Sequence, residues 1–152
     1  MDDPTLGLDV AIRRQFLEGM IQLIMRQGRT ILFSSHILGD IERVADRIIV
    51  IDKGSLRANC SLEEFRKAVK KVKFSFADSI PEKIDIDGLL YCRKQAKDCE
   101  ITLVKVSDEQ ITQWAKKNNA ERYHIVEMNL EDQFIEYTAP QDRKKLFKWE
   151  ET

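Results

Sequence analysis

The chain has 152 residues, with 25 Lys+Arg against 26 Asp+Glu, 43% hydrophobic and 34% charged. That length holds one ordinary domain or two small ones, with apolar residues enough for a core and charge enough for a solvated surface. A net charge of -1 offers no basic face for counterion release and argues against non-specific nucleic-acid binding; no apolar run nears the roughly 20 residues of a membrane span, and Met1-Asp2-Asp3-Pro4 lacks the basic start and apolar stretch of a secretory signal.

Val10 to Gln27 reads as a helix, with Ile12, Phe16, Met20, Leu23 and Ile24 near a 3.6-residue period, Asp9 as its cap and Gly28 at its end. Thr30 to Ser35 is a short uninterrupted apolar run of the kind buried on both faces of a parallel sheet, and His36 stands at its carboxyl end. A second helix is expected over Ile37–Ala45 and a second buried-type strand over Arg47–Asp52. Lys53-Gly54 makes a tight turn, from which Ser55–Asn59 pairs back as a hairpin. Ser61-Leu62-Glu63-Glu64 is a capping-box pattern that opens a helix to about Lys70.

The pattern changes near Lys70-Lys71. Val72, Phe74 and Phe76 alternate with Lys71, Lys73 and Ser75, as in a half-buried antiparallel strand. A short helix or irregular turn follows over Pro81–Ile86. Strands are expected over Leu89–Ala96 and Glu100–Val106, joined around Lys97-Asp98, then a helix over Ser107–Asn118, a strand over Tyr123–Met128, and a helix over Asn129–Tyr137 ended by Pro140. A charged tail follows Gln141, with Leu146, Phe147 and Trp149 set among short basic runs; it reads as a docked helix, a frayed end or an interaction surface. Residues 1–70 thus alternate helix and buried strand in the α/β manner, 71–140 have the element order of a small α+β ferredoxin-like sandwich, and 141–152 form the tail.

Cysteine chemistry adds little. Cys60, Cys92 and Cys99 are odd in number and sparse, which fits a reducing compartment. Cys92 and Cys99 are spaced to face each other across a hairpin, but His124 is remote in sequence and no zinc site is expected.

The chemistry-bearing residues cluster in the first unit. Asp2-Asp3 puts two carboxylates side by side before a proline, Asp9 follows seven residues after Asp2, and His36 lies just past a strand-like run. Open α/β sheets bind ligands beyond the carboxyl ends of their strands. Carboxylates there suit Mg²⁺, which keeps waters and substrate phosphates as further ligands, and a histidine there can bond a phosphate oxygen or a water. Taken singly, each feature is as well explained as a turn, a cap or a structural histidine.

In order and together they resemble something specific. Asp2-Asp3-Pro4-Thr5-Leu6-Gly7-Leu8-Asp9 resembles the end of the Walker B strand running into the D-loop of ABC ATPases. Ile31-Leu32-Phe33-Ser34-Ser35-His36 resembles their switch-histidine segment, and Ala45 to Gly54 the strand and turn after it. These matches cover about the first third of the chain. Asn129 to Thr138 resembles the closing helix of exporter ATPase subunits that carry an extra C-terminal domain. The resemblance implies the C-terminal part of an ABC-transporter ATP-binding subunit: an α/β remnant of a P-loop NTPase domain, then an accessory ferredoxin-like domain.

The resemblance also implies roles. Asp2 would hold Mg²⁺ through water, Asp3 would be the general base, and His36 would contact the γ-phosphate. Gly7, Leu8 and Asp9 would form the D-loop that crosses the dimer interface. Asp3 stands where the family usually has Glu, which shortens its reach by one methylene, and Leu6 replaces a small residue. The sequence contains no Gly-x-x-x-x-Gly-Lys-Ser/Thr phosphate loop, Q-loop or Ser-Gly-Gly-Gln signature, which in the family precede Walker B. ATP and Mg²⁺ are therefore expected in the intact parent and not in this chain alone, which is expected to be inactive. The parent's implied partners are a second ATPase subunit and a membrane permease, at the cytoplasmic face of the membrane. The alternative is a regulatory or dimerisation module without ATPase activity; exposed sheet edges favour a homodimer or swapped assembly.

Overall fold

The computed structural model describes residues 1–138, together with the backbone but not the side chain of Gln27. The sequence-based expectations for Pro140 and for the tail with Leu146, Phe147 and Trp149 lie outside the described residues. Packing divides the chain between Asp46 and Arg47, earlier than the change of sequence pattern near Lys70.

The first unit holds α1 (Val10–Gln27) and α2 (Leu38–Val44). Asp9 caps α1 by accepting from the backbone N–H groups of Ala11 and Ile12, at 2.9 and 3.0 Å. Gly28, at φ 57°, ends it in the left-handed conformation, its N–H returning to the Ile24 carbonyl. The inward face of α1 is Phe16, Leu17, Met20, Ile21 and Ile24. Ile12 and Leu23, expected on that face, are exposed. Phe16, Met20 and Ile24 lie inward as expected, and Leu17 and Ile21 complete the helical period with Met20 and Ile24.

The strand expected over Thr30–Ser35 is not formed. Its pairing is a single parallel bridge between Asp2 and Ser34, reinforced by bonds from the Met1 amino group to the Leu32 carbonyl and from the Ser34 N–H to the Met1 carbonyl. Leu32 is 74% exposed. An apolar run becomes a buried strand only with backbone neighbours on its edges, and here the segment meets one three-residue neighbour.

The second unit begins with a hairpin of β1 (Arg47–Asp52) and β2 (Ser55–Ser61), antiparallel and two-stranded. β1 was expected to be buried on both faces; instead Ile49 and Ile51 are 53% and 68% exposed. A two-stranded ribbon covers neither of its faces unaided, and only Val50 of β1 is buried. α3 (Leu62–Ala68) opens with the complete Ser61/Glu64 capping box; the Ser61 bonds hold the Glu64 carboxyl below its usual pKa.

Next come β3 (Val69–Phe76), β4 (Leu89–Gln95), β5 (Asp98–Val104), α4 (Asp108–Lys117), β6 (Ala120–Val126) and α5 (Leu130–Thr138). The four strands form one antiparallel sheet in the order β4-β5-β3-β6. β3 and β4 therefore run in the same direction with β5 between them, and β5 and β6 likewise flank β3. The second of these crossovers carries α4; the first, across residues 77–88, carries no helix.

One sheet face is the core. Val72, Phe74, Phe76, Cys99, Ile101 and Leu103 pack with Ile111, Trp114 and Ala115 of α4, and Phe74 meets the Trp114 ring edge-on at 4.8 Å. Gly88, at φ 73°, lies so close to β5 that a Cβ there would overlap the Val104 carbonyl oxygen. Cys92 and Cys99 do meet across the hairpin, with sulfurs 3.5 Å apart and both thiols free. Burial and the contact with Cys92 push the Cys99 thiol up to about 12. The other sheet face is polar, and α5 closes one end of it: Glu136 accepts from Lys71 Nζ at 2.9 Å and from Thr102 Oγ1 at 2.6 Å.

Candidate functional site

The bridge between Asp2 and Ser34 brings the two predicted clusters together. Two backbone strands in parallel register carry their side chains to a common end, so the residues after Met1 and those after Phe33 emerge side by side. Ser34 Oγ donates to Asp2 Oδ1 in a short contact. The Asp3 N–H bonds the Ser34 carbonyl at 3.0 Å and its Oγ at 3.2 Å. Asp3 Oδ1 then accepts the His36 backbone N–H at 3.1 Å and lies 2.9 Å from His36 Nδ1.

Asp3 sits at φ 38°, in the left-handed region. Asp is one of the few side chains found there, at a cost of order 1 kcal/mol. The carboxylate's two bonds to His36 offset that strain and fix the ring. With Nδ1 directed at Asp3, the Nε2 edge of the imidazole is left for another group, and the His36 side chain is 61% exposed.

The loop between Asp3 and α1 is two consecutive turns, with the Leu6 N–H on the Asp3 carbonyl at 3.0 Å and the Leu8 N–H on the Thr5 carbonyl at 3.3 Å. Gly7 takes φ 78°, which the second turn requires of a residue without a Cβ. Leu6 is 64% exposed at the tip and Leu8 also projects outward. Asp9, the remaining sequence-predicted member, spends Oδ1 on the α1 cap. Of the six predicted residues, the fold joins Asp2, Asp3 and His36 in one cluster and places Gly7, Leu8 and Asp9 on the adjoining loop.

Sequence reasoning missed three residues here. Ser34 holds Asp2 and Asp3 together, and its position two residues before His36 in a run otherwise apolar from Ile31 to Phe33 was an available signal. Thr5 and Asp40 are buried, and Thr5 Oγ1 donates to Asp40 Oδ2 at 2.7 Å. Arg13 Nε lies 3.9 Å from the other Asp40 oxygen. This linkage ties the loop to both helices of the unit; Asp40 lies 35 residues from Thr5 along the chain, and nothing in the sequence joins the two.

The donor set bears on what could bind. Among the described residues, no three His, Cys, Asp or Glu side chains converge on a point where they could hold a metal. Asp2 and Asp3 offer two carboxylates on adjacent residues. That is too few for a protein-only cage, and it fits Mg²⁺, which takes one or two carboxylates and completes its shell with waters and phosphate oxygens.

No family model matches the chain. Curated relatives do. The uncharacterized ABC transporter ATP-binding protein YdbJ of Bacillus subtilis is 28% identical over 91% of this chain and 46% of its own length. The ABC transporter ATP-binding protein YtrB of the same organism is 27% identical over 89% of this chain and 46% of its own. An uncharacterized ABC transporter ATP-binding protein of Synechocystis is 44% identical over 42% of this chain and 18% of its own length. The chain thus spans about half the length of the first two relatives. These two matches cover about nine tenths of the chain, which is a relative of the ABC transporter ATP-binding proteins and corresponds to a part of such a subunit.

Proposed function

We propose that this chain is the C-terminal part of an ATP-hydrolysing subunit that powers an ABC transporter, and that Asp2, Asp3 and His36 are its share of the ATP site. The observation that carries this reading is the Asp3–His36 pair, set by the backbone bridge beside Asp2. Mg²⁺ bound with the nucleotide supplies charge neutralisation at the phosphates.

Each residue has a separate task. Asp2, fixed through one oxygen by Ser34, would hold the metal's waters with its other oxygen. Asp3 receives the proton of an attacking water as general base, at the position where ABC ATPases usually carry Glu. Its shorter side chain is already engaged with His36, so the attacking water must come to Asp3. His36, oriented by Asp3 through Nδ1, donates from Nε2 to a terminal phosphate oxygen when the ring is protonated. Gly7, Leu8 and Asp9 form the loop facing a second ATPase subunit, where the exposed Leu6 and Leu8 would be covered.

The sequence contains no phosphate-binding Gly-x-x-x-x-Gly-Lys-Ser/Thr loop, so ATP affinity depends on a loop supplied by the rest of the subunit. The second unit is read as an accessory domain of ferredoxin-like topology whose first crossover is irregular. Its strand order and directions support this reading. Among the described residues no helix is long and apolar enough to cross a membrane; a separate permease and a peripheral position at the cytoplasmic face belong to the same proposal.

The test is calorimetry with ATP and Mg²⁺ on this chain and on a form extended through a phosphate loop. Binding is expected only for the extended form, with Asp3→Asn lowering its turnover by about 10²–10⁴-fold. Micromolar binding by the present chain would sink the proposal. A regulatory module without ATPase activity predicts instead that the extended form binds ATP no better.

A further inference from the structure

The polar face of the four-stranded sheet is half covered, and the covered half shows which chemistry suits it. There, one cross-strand row is Tyr91–Thr102–Lys71–Val126, and α5 lays the Glu136 carboxylate onto Lys71 and Thr102. Two further rows stay open: Arg93–Glu100–Lys73–His124 and Gln95–Asp98–Ser75–Arg122. They line a concavity of about 530 Å³.

Charge in the open rows is not uniform. At the centre, Glu100 is satisfied by Lys71 at 3.1 Å and Lys73 at 3.3 Å, and Asp98 accepts from Ser75 at 2.7 Å. The rims differ. Arg93 on β4 and Arg122 and His124 on β6 are exposed, and neither arginine forms an ion pair among the described residues. β4 and β6 are separated by three inter-strand steps of about 4.8 Å, so the two cationic rims lie roughly 14 Å apart. A single small anion cannot engage both rims, and over the centre it would meet Asp98 and Glu100.

We infer that this face docks an extended acidic segment of a partner protein, running across the strands with carboxylates on Arg93 at one rim and on Arg122 and His124 at the other. An extended chain advances about 3.4 Å per residue. Carboxylates about four residues apart therefore match the rim spacing, and an even spacing puts them on one side of the segment. The centre, already neutralised, takes the uncharged residues between them. This surface lies wholly in the second unit and does not depend on the ATPase reading.

The experiment is fluorescence anisotropy on the full chain at low salt, with a labelled Ser/Thr peptide carrying glutamates about four positions apart. The controls are the same composition with adjacent glutamates, and inorganic phosphate as competitor. Expected is saturable binding below about 1 mM that the double variant Arg93→Glu/Arg122→Glu weakens at least about tenfold, with adjacent glutamates and phosphate both ineffective. If charge reversal disturbs the fold, Arg93→Gln/Arg122→Gln gives the same readout at smaller amplitude. No saturable binding, equal binding of the adjacent-glutamate peptide, displacement by phosphate, or indifference to both double variants would each overturn the proposal.

Discussion

The two units divide the candidate site and the apolar core between them. Among the described residues up to Asp46, those buried are Thr5, Leu17, Met20 and Asp40, half of them polar, while Leu6, Val10, Ile12, Leu23, Met25 and Leu32 are exposed. From Arg47 on, a sheet and a helix bury Val72, Phe74, Ile101, Leu103 and Ile111 completely. The unit holding the Asp–His cluster is thus pinned by a few polar bonds, and the unit holding the core has no predicted catalytic residue. Polar linkages position side chains sharply but contribute little net stability each; apolar burial does the reverse.

The comparison breaks most readily at the core. Phe74→Ala removes the ring that packs on Trp114 and Tyr123 and should cost the second unit about 3–5 kcal/mol. Hydrogen exchange of β3 and β5 amides in a urea series would show it; protection unchanged from the parent would mean that the sheet does not rest on this contact. Gly88→Ala comes next, since it strains a positive φ and drives a Cβ into the Val104 carbonyl. A loss above about 1 kcal/mol in the same assay is expected.

In the first unit the corresponding change is Thr5→Val, which keeps the shape and removes the donor to buried Asp40. About 1–3 kcal/mol should be lost, local to this unit. Amide exchange in α1 and α2 should rise while β3 and β5 stay protected; a global loss instead would show that the two units unfold together.

How far the sequence foretold all this follows the same division. The second unit's elements were legible because alternation in Val72–Phe76, the Ser61 capping box and the Lys53-Gly54 turn are local signals that the tertiary structure reinforces. The strand over Thr30–Ser35 was misjudged because strand formation depends on neighbours that composition does not reveal. Hairpin β1 was misjudged likewise: its Ile-rich run has one partner strand and no cover over Ile49 and Ile51. Asp2, Asp3 and His36 were singled out through an ordered motif, and the bridge brings them together. Ser34, Thr5 and Asp40 were missed because their roles arise from pairings some 30 residues apart.

The finest expected effect concerns the charges that seat α5 on the sheet. Burial disfavours the Glu100 carboxylate, but Lys71 and Lys73 outweigh it and hold its pKa below the usual value. Burial likewise opposes the Lys71 ammonium, and its bonds to Glu136 and Glu100 outweigh that and raise its pKa. The two signs bracket a plateau. A lowered carboxylate contributes stability that is present above its unfolded value near 4.3 and lost as pH falls through the folded one. A raised ammonium contributes stability that is present below its unfolded value near 10.4 and lost as pH climbs through the folded one. Glu100→Gln should therefore lower the melting temperature at neutral pH by the equivalent of about 0.2–1 kcal/mol, a loss that vanishes in strong acid and shrinks in high salt. Equal destabilisation at all pH values would mean that Glu100 acts through its shape and packing rather than through its charge on Lys71 and Lys73.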